Sequence, residues 1–170
     1  RTHGIQKDYT KFKKKEKIGW YYEQQFLGYN YRMSDILASL GKSQLKKLES
    51  FTNYRNKIFN TYKKLLMKYD ISFQRIDKND YSSFHLVIIL FKDKGIRDKV
   101  FTVMKKNKFF VNLHYIPIYR HPFYQNKKFS ISSFPNSEYY YERALSIPVY
   151  YGLENKHLLK FEKILKKILI

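Results

Sequence analysis

Residues 23–48, EQQFLGYNYRMSDILASLGKSQLKKL, decide how the rest of the chain is read. The stretch opens on Gly28-Tyr29-Asn30-Tyr31-Arg32-Met33. Glycine accepts backbone angles that other residues avoid, so Gly28 predicts a sharp turn. Ser34-Asp35 predicts a helix start. The Ser34 hydroxyl is suited to accept from a first-turn N–H, and Asp35 suits the positive end of the helix dipole. On residue chemistry alone this is a tight turn feeding a core helix. Asn30 then reads either as a left-handed turn residue or as a ligand contact, since its amide stands beside a helix start and helix starts collect anions.

Outward from Ser34, Leu37, Leu40, Leu48, Phe51, Ile58, Tyr62, Leu65 and Tyr69 recur at helical spacing and predict one apolar stripe. Gly41 interrupts it at about 1 kcal/mol relative to Ala, so a glycine there makes room for a neighbouring backbone, and a break is expected near 41–44. The run 83–91, SFHLVIILF, predicts a central strand. A helix is expected over 93–107, a second strand over 109–114, and a short helix over 138–146, started by Pro135-Asn136-Ser137. In 155–170 the apolar residues Leu158, Phe161, Leu165 and Ile168 oppose lysines. That helix could lie on a membrane surface, but most amphipathic helices cover their own domain. Helices over a small sheet make the class α+β.

The motifs carry a resemblance. Arg1-Thr2-His3-Gly4-Ile5, GYNYRMSD with ASLGKSQLKKL, His114-Tyr115-Ile116-Pro117 and Leu145-Ser146-Ile147-Pro148 occur in an order that resembles the DegT/DnrJ/EryC1/StrS sugar aminotransferases. With Trp20-Tyr21-Tyr22-Glu23-Gln24-Gln25 the chain is most similar to the pseudaminic-acid branch, the UDP-4-amino-4,6-dideoxy-N-acetyl-altrosamine transaminases. The resemblance implies the C-terminal part of a pyridoxal 5'-phosphate enzyme: 1–33 as the end of the large domain and interdomain segment with an active-site loop, 34–69 as a long connecting helix, and 70–170 as the small, mainly antiparallel domain of a fold-type I aminotransferase. It implies amino transfer from glutamate to a UDP-linked 4-keto-6-deoxy-hexose in a homodimer with shared sites. Asn30 would reach the partner subunit's cofactor and substrate, while His114, Tyr115, Ile116, Pro117 and Ile118 would line the sugar pocket. His3 and Arg32 are further candidates near the site entrance. Taken alone, His114 reads as a satisfied strand histidine and His3 as structural. The Schiff-base lysine and the acidic partner of the pyridine nitrogen would lie upstream of Arg1. No lysine here stands in the family's Ser-x-x-x-x-Lys context, so no catalytic residue is assigned and the chain alone is expected to be inactive.

Composition limits the rivals. The 170 residues are 44% hydrophobic, enough for a core, and lack cysteine, which fits a cytoplasmic protein without disulfides or thiolate metal sites. No apolar run reaches the roughly 18 residues of a membrane span. Arg1 is followed by no signal-peptide core, and a start without Met suggests a piece of a longer protein. His85, His121 and His157 have no acidic partner at ligand spacing, so no metal is assigned. The net charge of +20 raises a basic nucleic-acid-binding module as the alternative. Its lysines are scattered doublets apart from the block at 11–17, and no reading motif accompanies them, so no specific nucleic acid is expected. A non-catalytic interaction remnant is the third reading.

Overall fold

The computed structural model describes residues 2–14, 18–127 and 130–170. Arg1 of the first motif, 15–17 of the basic block and Lys128 lie outside the described residues. The chain divides into two compact units, Arg1–Lys47 and Leu48–Ile170.

In the first unit, β1 (Ile5–Gln6) pairs antiparallel with β2 (Glu23–Gln24), with Ile5 opposite Gln24 and Gln6 opposite Glu23. The segment between them lacks periodicity, and the Glu23 carboxylate gathers part of its backbone. Lys13 and Lys14 N–H each donate to Glu23 at 2.7 Å. Gln25 Nε2 adds a bond at 2.8 Å and Tyr21 Oη one at 3.3 Å. Burial alone would push the Glu23 carboxyl up, but these donors together hold it down at about 2. Helix α1 (Asp35–Leu45) starts where the sequence places it, with Ser34 Oγ accepting from Leu37 N at 3.4 Å.

The apolar stripe divides. Helix α1 buries no residue, and Leu37 and Leu40 are 58% and 56% exposed. The helix also runs through Gly41 without a break. A Cβ at Gly41 would meet nothing within 4 Å, so among the described residues no backbone approaches it. The interruption falls at Lys46-Lys47, where Lys47 N donates to Gln44 O at 2.9 Å and the last turn tightens to three-residue bonding.

The second unit opens with α2 (Leu48–Leu66), which buries Thr52, Ile58, Phe59, Tyr62 and Leu66. The sheet has the antiparallel order β3 (Ile71–Phe73), β4 (Val87–Phe91), β5 (Ala144–Ile147). Directly opposed residues share a face, so Phe73, Ile89 and Leu145 form one row across the sheet, flanked by Val87 opposite Ile147. Against them pack Tyr62 and Leu66 of α2, Val100 and Met104 of α3 (Lys94–Lys106), and Leu158, Phe161 and Leu165 of α5 (Asn155–Leu169). The apolar face of α5 is therefore consumed within its own unit. Burying each such side chain stabilises by about 1.5–3 kcal/mol.

Three sequence boundaries shift for physical reasons. The strand expected over 83–91 begins at Val87, because Phe84 adopts a left-handed φ of 44° and stacks on Phe59 at 3.9 Å. The strand expected over 109–114 reduces to one bridge, Asn112 with Ser146. Upstream of it, the end of α3 holds the backbone: Lys108 N donates to Lys105 O and Phe109 N to Met104 O, each at 3.0 Å. The helix expected over 138–146 is α4 (Pro135–Arg143), started by its proline, and Ala144, Leu145 and Ser146 are buried strand residues instead.

Candidate active-site residues

In the first unit, two motifs separated in sequence lie side by side. Gln25 N donates to Gly4 O at 2.9 Å and His3 N to Tyr29 O at 3.4 Å. The backbones interlock so closely that a Cβ on Gly4 would lie 1.8 Å from Phe26 O, and one on Gly28 would lie 2.1 Å from Gly4 N. Gly28 thus serves close approach rather than the sharp turn read from sequence. His3 and Gly4 carry the left-handed angles, φ 57° and 73°. The pairing turns the His3 ring toward Arg32, and His3 Nε2 lies 2.8 Å from Arg32 Nη2. Both residues line a cavity of about 640 Å³ with Thr2, Gln6 and Lys7, and among the described residues no carboxylate lines it. An arginine and a lysine without a carboxylate make this cavity suited to an anion.

Asn30 does not line that cavity. Its neighbours Tyr29 and Tyr31 stack at 5.1 Å and 7°. A stacked i, i+2 pair projects to one side, which turns the Asn30 amide to the other. Asn30 has no left-handed φ, so the turn-residue reading fails, and the exposed amide makes no hydrogen bond among the described residues.

In the second unit, the stretch 114–118 separates into two parts. His114 is half-buried beside β5, with Nδ1 2.8 Å from Ser146 Oγ and its carbonyl accepting from Tyr140 Oη at 3.0 Å. The His114–Tyr115 peptide is cis. Tyr115 sets its ring edge-on to the His114 imidazole at 4.6 Å and is 73% exposed. Ile116 and Ile118 are exposed as well, with Pro117 between them. The next residues anchor the loop. Tyr119 donates to Glu138 at 2.8 Å and stacks on Phe134, and Arg120 forms an ion pair with the same Glu138. The Arg120 guanidinium, ahead of the opposing burial, holds the Glu138 carboxyl below its ordinary range. Sequence reading left Lys7, Ser146 and Glu138 unassigned. Ser146 alone had a signal, its place in the Leu145–Pro148 motif; the others depend on non-local contacts.

The order of these motifs matches the sequence profile of the DegT/DnrJ/EryC1/StrS aminotransferase family over residues 1–166. The chain belongs to this family. It is 33% identical over 173 aligned residues to an uncharacterized protein of Methanocaldococcus jannaschii, covering 99% of this chain and 45% of that protein. It is 34% identical over 160 residues to the UDP-4-amino-4,6-dideoxy-N-acetyl-beta-L-altrosamine transaminase of Campylobacter jejuni, covering 92% of this chain and 40% of the relative. Among solved structures it is similar to Helicobacter pylori PseC, an aminotransferase involved in the biosynthesis of pseudoaminic acid. That likeness has a TM-score of 0.77 at 25% identity over 99% of this chain and 44% of that one. This family chain thus spans less than half the length of the relatives it matches. Among its described residues no helix is long and apolar enough to cross a membrane.

Proposed function

We propose that the chain is the C-terminal portion of a pyridoxal-phosphate-dependent aminotransferase acting on a nucleotide-linked sugar. The proposed reaction moves an amino group from glutamate to a UDP-linked 4-keto-6-deoxy-hexose, in a cytoplasmic homodimer. The observation that carries the reading is the side-by-side placement of the His3-Gly4 and Gly28–Arg32 segments, with Asn30 left free and Arg32 held by His3.

The residues present fit an anionic cofactor. The cavity beside Arg32 and Lys7 has no lining carboxylate, and the Asn30 amide has unused donors and acceptor. Asn30 would meet the cofactor phosphate of the partner subunit, with Arg32 contributing positive charge and geometry. When bound, the cofactor supplies the electron sink for amino transfer. The lysine that would hold it covalently has no counterpart among the sequence contexts of this chain.

The second unit would shape the sugar site. Pro117 keeps Ile116 extended, so 115–118 presents ring faces and backbone groups rather than folding onto itself. Ser146 and Tyr140 fix His114 through Nδ1 and its carbonyl, which leaves Nε2 to meet a ligand. His114 is assigned binding, not proton transfer.

The test is Asn30→Ala in an enzyme carrying the remainder of the family sequence. Cofactor or substrate retention should weaken about ten-fold, equivalent to about 1.4 kcal/mol, at unchanged stability. Unchanged retention, or unfolding of the variant, counts against the assignment.

A further inference from the structure

A second cavity, of about 470 Å³, lies wholly within the unit Leu48–Ile170. His114 is the only residue of the proposed sugar-binding stretch that reaches it. Its walls bring together residues that no motif connects: His85 before β4, Lys108 and Phe110 after α3, Tyr150 after β5, and His157 in the first turn of α5. We infer that this cavity is a binding site for a small organic anion, a phosphate or carboxylate on an aromatic or apolar body, held by Lys108 and His157.

Charge is the first argument. The lining holds Lys108 and three histidines and no carboxylate. Two further ammonium groups stand over the aromatic walls, Lys105 at 5.9 Å from the Phe110 ring and Lys160 at 6.0 Å from the Phe109 ring. Glu154 is the acid nearest in sequence to His157; it pairs with Lys156 at 2.9 Å and interacts more weakly with His157, outside the cavity lining. The three imidazoles add polar nitrogens to the lysine charge of the lining.

Two residues then depart from what folding alone would select. His157 Nδ1 is buried with no hydrogen-bond partner, and an unpaired buried polar atom costs about 1–3 kcal/mol. Lys108 occupies the left-handed position that caps α3, with φ 63°. Glycine is the usual residue there, because a side chain in this conformation costs about 1–2 kcal/mol. Local strain of this kind concentrates at ligand sites. A bound anion would supply a counter-charge for Lys108 and a polar partner for the His157 imidazole that lines the cavity. Phe110, 85% exposed, and Tyr150, 53% exposed, offer ring faces to an apolar body.

This inference does not rest on the aminotransferase reading and is tested by binding alone. The 170-residue chain is titrated with phenyl phosphate, inorganic phosphate and benzyl alcohol, following the imidazole and Lys108 amide resonances by NMR. Phenyl phosphate should bind saturably and at least ten-fold tighter than either fragment. Lys108→Gly should weaken it at least ten-fold while the melting temperature holds or rises, because the left-handed strain is relieved. His157→Gln should weaken it as well, whereas Lys99→Ala on the exposed side of α3 should leave it unchanged. Undiminished binding by Lys108→Gly overturns the inference, as does equal loss in Lys99→Ala, which would mean diffuse charge. Benzyl alcohol binding as tightly as phenyl phosphate would show an apolar pocket only, and inorganic phosphate binding as tightly would remove the apolar body from the ligand class; either result overturns it too.

Discussion

The hydrogen bond between His3 Nε2 and Arg32 Nη2, 2.8 Å long, has only one direction. A guanidinium donates and has no acceptor, so His3 must be the neutral tautomer with its proton on Nδ1. A protonated His3 would set two cations against each other. His3 is therefore a positioning residue for Arg32, acting through an unprotonated ring.

His3→Gln should preserve the arrangement, because the amide oxygen can accept in place of Nε2, while His3→Leu should release Arg32. A hydrogen bond of about 1 kcal/mol corresponds to a roughly five-fold change in the fraction of Arg32 held. Arg32 side-chain relaxation reads this directly. Equal mobility of Arg32 in all three proteins would refute the positioning role.

Glu23 gives a pH dependence whose sign is fixed. Its folded carboxyl is held at about 2 against an ordinary 4.5, so its contribution is fully present above 4.5 and fades as pH falls toward 2. Exchange protection at the Lys13 and Lys14 amides should follow that course and be lost at all pH values in Glu23→Ala, which removes both acceptor oxygens. Protection that survives in Glu23→Ala would mean the loop is held by something else.

The covered apolar face of α5 and the uncovered one of α1 predict opposite outcomes for two leucines. Leu165 is fully buried at 0% exposure, and Leu165→Ala should destabilise its unit by about 2–5 kcal/mol. Leu40 is 56% exposed, and Leu40→Ala should shift the stability of this chain by less than about 0.5 kcal/mol. Denaturant melts of both variants decide it; a comparable loss from each would show that α1 buries its stripe.

Gly41 stands in open space within α1, so Gly41→Ala should raise helix stability by about 0.5–1 kcal/mol in this chain. Amide exchange across Asp35–Leu45 is the measurement. A loss of protection would mean that the position is crowded.

These contrasts show what the sequence carried. The Ser34 cap, the helix expected over 93–107 and the apolar run that ends at Phe91 are local signals, and α1, α3 and β4 lie at or near the places they mark. The α+β class followed from them. Periodicity could not tell that Leu37 and Leu40 lack a covering surface, since it records which face is apolar and not what meets it. Nor could it anticipate the left-handed backbone at Phe84 and Lys108, where tertiary packing and helix capping override a residue's own preference. Motifs alone named His3, Asn30, Arg32 and His114 as candidates. The donor set around Glu23, the His3–Arg32 bond and the separation of His114 from 115–118 depend on contacts that spacing does not encode.

The last prediction concerns activity: the chain by itself should not transaminate. A competent site must bind the cofactor covalently and orient it, and orientation alone can contribute several kcal/mol to lowering a barrier. An ammonium group is no nucleophile until it loses its proton, and a solvated lysine has nothing to favour that loss at neutral pH. Excess pyridoxal phosphate with borohydride trapping should therefore label several lysines substoichiometrically. Supplying the remaining family sequence as a second chain should restore glutamate-dependent amination of a keto-sugar nucleotide. Asn30→Ala should reduce that restored rate, because its free amide is assigned to the shared site. Stoichiometric labelling of one lysine, with amination by the chain alone, would place the catalytic centre within these 170 residues and reverse the proposal.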